Sequence, residues 1–149
     1  MRIVLAALLM LAALAAPARA HDSRPLFIEL AEIGDGVLQL KSTAPSAVDI
    51  ANAPAVSLAA PCIETRREGA DPRRQAALYQ CALAGAAVEI AWPAFNPSIS
   101  TLVRVTYQSG ETRTAILDPS QNEWRAPSPE NFEGVAKSYF VIGVQHILG

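Results

Sequence analysis

The chain has 149 residues, 51% of them hydrophobic and 17% charged, with 12 basic against 14 acidic side chains and a formal net charge of −2. That balance excludes a general nucleic-acid binder, which needs a basic stripe to neutralise phosphates. The length suits one domain with one hydrophobic core, and neither an internal repeat nor a phosphate-binding loop is visible.

Residues 1–20 read as a secretory signal peptide: Arg2 is the basic n-region, Ile3 to Ala16 the apolar h-region, and Ala18-Arg19-Ala20 the small-x-small cleavage site. A retained anchor is the competing reading, but fourteen apolar residues make a poor span. Cleavage would leave a chain starting at His21, with ten basic and fourteen acidic side chains and a net charge of −4. In the oxidising compartment that such a chain enters, the two cysteines, Cys62 and Cys81, read as a disulfide. A thiolate metal site would call for closer spacing and more ligands.

The mature chain then reads as strand after strand. Leu26 to Glu32 alternates with Leu26, Ile28 and Leu30 on one face, Gly34-Asp35-Gly36 turns, and Val37 to Lys41 returns with Val37, and Leu38 or Leu40, inward. Residues 42–61 carry three prolines and are expected as loop or edge, with a short strand near Val56 to Ala59. Cys62 to Glu68 and Ala76 to Leu83 flank a polar loop, so their pairing would place the disulfide at the strand ends opposite it. Ala87 to Trp92 follows a turn at Gly85. Leu102 to Gln108 alternates with Val103, Val105 and Tyr107 on one face, and Ser109-Gly110 is a two-residue hairpin loop into Glu111 to Leu117. The pattern predicts a mainly β domain, an antiparallel sandwich spanning residues 21–118.

Residues 119–129 read as a proline-rich linker, and Ser128-Pro129-Glu130 as a helix start with a hydroxyl cap, a first-turn proline and an acid. The helix expected over 130–149 is amphipathic at first and apolar nearly all round from Ser138 onward, which a solvated surface helix does not tolerate. It is expected as the start of a membrane span.

Chemistry-bearing residues are few. There are two histidines, His21 and His146, no serine in a nucleophile-elbow pattern, and carboxylates scattered as solvent-facing alternates, so no enzyme is expected. His146 lies one turn after Gly143 and two after Tyr139, where it would face partner helices or a hydrated cavity, or else close on a carbonyl at the end of a docked helix. If cleavage frees its amine, His21 offers amine and imidazole together, with Asp22 adding a carboxylate oxygen. That set suits copper, nickel or zinc.

Two segments resemble the HupE/UreJ family of membrane proteins, associated with nickel and cobalt uptake. Tyr139-Phe-Val-Ile-Gly-Val-Gln-His-Ile-Leu-Gly149 is similar to the start of that family's first transmembrane helix, in which His146 would open a motif completed five residues later by Asp-His. His21-Asp-Ser-Arg-Pro-Leu-Phe-Ile-Glu-Leu30 is similar to the opening of its exported domain. The resemblance implies the N-terminal, periplasmic part of a longer nickel or cobalt permease attached to the bacterial inner membrane, ending inside the first membrane helix. The metal ligands it leaves to consider are His21, Asp22 and His146. The alternative is a small periplasmic β-sandwich of copper-binding type with an N-terminal histidine ligand.

Overall fold

Alternation along the sequence becomes alternation between the faces of strands. The computed structural model describes residues 24–130 and 140–147, and the signal peptide expected over residues 1–20 lies outside them. Nine strands follow in chain order: β1 (Leu26–Gly34), β2 (Val37–Thr43), β3 (Ala55–Leu58), β4 (Ile63–Glu68), β5 (Arg74–Gln80), β6 (Ala87–Ala91), β7 (Thr101–Thr106), β8 (Thr112–Leu117) and β9 (Glu123–Arg125). Residues 140–147 form a helix, α1. The chain is mainly β, as expected.

Six strands form one sheet in the order β4-β5-β2-β1-β7-β8, and three form a second in the order β3-β6-β9. Leu26, Ile28 and Leu30 of β1, Val103 and Val105 of β7, and Tyr79 of β5 point inward against Val56 and Leu58 of β3 and Val88 and Ile90 of β6. One continuous cluster thus joins the two sheets, which gives the sandwich its core. Among the described residues, every buried side-chain polar atom has a hydrogen-bond partner.

Several expectations are corrected. The large sheet is mixed: β1 pairs β7 in parallel, Leu26 beside Thr101 through Ala31 beside Thr106, while all its other pairs are antiparallel. The crossover from β6 in the small sheet brings β7 in along β1. In β2 the inward residues are Leu38 and Leu40, with Val37 on the opposite face. An irregularity between Glu32 and Gly34 sets this register, pairing Leu30 with Leu40 and Glu32 with Leu38.

The loop between β7 and β8 that the Tyr107–Glu111 pair closes has three residues, 108–110, rather than two. Tyr107 N–H donates to Glu111 O at 2.9 Å and Gly110 N–H to Tyr107 O at 2.9 Å, with Gly110 at φ 85°. This is a turn closed by a left-handed residue, a conformation glycine adopts at no steric cost.

Residues 119–129 are not simply a linker. They contain β9, which pairs with β6 (Val88 beside Trp124) and completes the small sheet. Ser128, Pro129 and Glu130 carry no helical structure. The Glu130 N–H donates instead to Glu111 Oε2 at 2.9 Å.

Candidate functional site

The expected metal ligands are not brought together. His21 and Asp22 lie outside the described residues, and His146 stands exposed on α1. Among the described residues no group of three or more His, Cys, Asp or Glu could hold a metal ion. Cys62 and Cys81 form the expected disulfide, with Cα atoms 4.9 Å apart, and it joins the ends of β4 and β5 opposite their connecting loop. Neither cysteine is therefore a thiolate ligand.

Two polar clusters that the strand pattern did not reveal organise the domain. The first lies on the inner face at the β4 edge. A bulge between Glu64 and Arg66 places Glu64 beside Tyr79 and Arg67 beside Ala77, so two residues three apart share one face. Tyr79, 2% exposed, donates its hydroxyl proton to Glu64 Oε2 at 2.9 Å. Arg67 Nε donates to Glu64 Oε1 at 2.9 Å, and Arg67 also reaches Gln75 Oε1 at 3.2 Å. The Arg67 guanidinium holds the Glu64 carboxyl below its ordinary value, with the Tyr79 hydroxyl adding to that. Burial, and then the bond to Glu64, pushes the Tyr79 phenol up. Gln75 extends the cluster to the second sheet, donating to Pro54 O at 2.8 Å.

The second cluster fastens the chain where it leaves the sandwich. Tyr107 donates to Pro127 O at 2.6 Å. Arg113, on the inward parity of edge strand β8, pairs with Glu111 at 2.6 Å and with Glu130 at 2.7 Å. The hydrogen bond from Arg113 lowers the Glu111 pKa, and the same pair raises that of Arg113. Residues 127–130 are thereby pinned against β7 and β8 before the chain continues to α1.

On α1, Phe140, Val141, Ile142, Val144 and Ile147 are all exposed, Phe140 at 72% and Ile147 at 82%, and a Cβ at Gly143 would meet nothing. These apolar residues cover more than half of the helix circumference, with Gly143 and His146 on the remaining side. No helix among the described residues is long and apolar enough to cross a membrane. Comparison with protein-family models, curated proteins and solved structures finds no match to this chain.

Proposed function

We propose that the chain is the extracytoplasmic part of a membrane-bound transition-metal permease of HupE/UreJ type, a folded β domain held at the membrane surface by its C-terminal helix. The exposed apolar surface of α1 is the observation that carries this reading, because water gives such a helix nothing to bury against. The anchoring of residues 127–130 by Tyr107, Glu111 and Arg113 supports it, since that clamp fixes the point at which the chain leaves the sandwich. Nickel or cobalt is the cargo in this reading, and His21 with Asp22 is the chain-end group that first meets it. The sequence resemblance supports the metal, and the amine-imidazole pair supplies suitable donors.

Expression of the full chain in a bacterium, followed by alkaline extraction of membranes, tests the attachment. Retention in the pellet is expected, and release as a soluble monomer would overturn the reading. Titration of Ni(II) and Cu(II) into the exported chain and a His21→Ala variant tests the ligand. Nickel binding lost in the variant is expected, whereas equal binding by both removes His21. A chain that binds Cu(II) through His21 and stays free of membrane would favour the copper-type alternative.

A further inference from the structure

The geometry points to a binding site for a small amphipathic carboxylate, an organic acid with an apolar body, on the outer face of the large sheet. A pocket of about 430 Å³ opens there, where β1, β5 and β7 begin and β2 ends. Phe27, Thr43 and Leu102 make its floor. They are neighbours in register, Phe27 beside Thr43 on one side and beside Leu102 on the other, and they face away from the buried Leu26 and Ile28. A volume of this size suits a small organic molecule.

Among the described lining residues, Arg73 and Arg74 stand together against one acid, Asp71. Asp71 is already engaged, since its Oδ1 accepts from the Arg73 N–H at 3.0 Å and lies 3.7 Å from Arg73 Nε. Arg73 also donates to Ser46 O at 3.3 Å. Arg74 makes no ion pair with a described residue, and register places it beside Thr43 at the rim of the floor. The loop that presents both arginines is fixed by backbone bonds: Arg74 N–H to Asp71 O at 2.9 Å, and Ala44 N–H to Arg73 O at 2.8 Å.

Guanidinium binds carboxylate through paired, charge-assisted hydrogen bonds, and the planar fork loses little freedom in doing so. The apolar floor selects against a free inorganic anion, which would have to shed water and gain no contact with Phe27 or Leu102. An uncharged apolar molecule would leave Arg74 unused. An acid with an aromatic or compact aliphatic body uses both parts of the pocket.

Calorimetric titration of the full exported chain in detergent with benzoate, benzyl alcohol and inorganic phosphate tests the site. Benzoate is expected to bind with a Kd below about 1 mM, and more weakly as salt rises. Benzyl alcohol and phosphate are each expected to bind at least roughly tenfold more weakly. Arg74→Ala should cost benzoate affinity by about tenfold or more, while Arg66→Ala, on β4 and paired with Glu68, should leave it unchanged. Thr43→Glu, which sets a carboxylate beside Arg74, should abolish binding independently of Arg74→Ala. Equal affinity for benzyl alcohol or phosphate, insensitivity to both pocket variants, or no benzoate binding at all would each overturn the proposal.

Discussion

The contact between Tyr79 and Glu64 illustrates how one carboxylate settles the edge of a sheet. Tyr79 is too buried to leave its hydroxyl unpaired without loss; β4 offers Glu64, its partner in register, as acceptor, and the bulge that follows brings Arg67 onto the same face. Arg67 then keeps that acceptor ionised. Because the folded-state pKa of Glu64 is lowered from 4.5, its contribution is fully present above that value and is lost as pH falls through the folded value. Thermal melting should therefore fall on acidification below about pH 4.5, and Glu64→Gln should flatten this limb while lowering stability at pH 7. An unchanged acid limb in the variant would assign the effect to other carboxylates. Tyr79 acts at the opposite end: its pKa is raised above 10.0, so its share is kept below that pH and lost as pH climbs through the raised value. Backbone demands a residue of its own at Gly69, where φ is +114° and an added Cβ would sit 2.7 Å from Arg74 O. Gly69→Ala should cost about 1–3 kcal/mol in denaturant unfolding and, by displacing Arg74, should weaken benzoate binding in parallel.

Among the strands, β4 has the least burial to hold it. All six of its residues are exposed, so it stays in the sheet through backbone bonds to β5, the Glu64–Arg67–Tyr79 cluster and the disulfide. Its charges also blunt an open sheet edge against pairing with another chain, as the inward Arg113 does on β8 at the opposite edge. Replacing Cys62 and Cys81 by serine should cost about 3 kcal/mol through the loop that the bond closes. Amide exchange should rise first in β4, while β1, β2 and β7 keep their protection; uniform loss of protection would show that the disulfide holds the whole domain. Such elements differ in how far they could be read from sequence. β1 and β7 alternate cleanly because one face of each is buried, and the cysteine pair was read as a disulfide on the expectation of export. The Leu38 parity was hidden because an irregularity in register leaves no mark in residue type. The parallel β1–β7 pair joins residues 75 positions apart, Leu26 with Thr101, which local pattern does not encode. β9 is three residues long within a proline-rich stretch, and Trp124 beside Val88 was its one signal.

At the scale of the whole molecule, the sandwich and its C-terminal helix meet water in opposite ways, and the site reflects that division. Sequence pattern found the apolar character of α1 because composition alone carries it. It did not join Tyr107, Glu111, Arg113 and Glu130, since the residues that pin the exit come from separate turns and strands and only the fold assembles them. It likewise read the residues before β5 as a polar loop, and the consecutive Arg73 and Arg74 were the available sign of the pocket. The clamp also sets where the folded β unit ends. Glu130 contributes its N–H to Glu111 and its carboxylate to Arg113, so a chain cut after Pro129 loses both contacts, and one cut after Glu130 keeps them. Deleting everything beyond Glu130 should give a soluble monomer that melts cooperatively, whereas the full exported chain should require detergent or pellet with membranes, because five large apolar side chains of α1 stand exposed. Sedimentation of both forms, with and without detergent, reads the difference. A full chain that stays monomeric in water would mean that α1 docks on the domain, and attachment to a membrane would lose its physical basis.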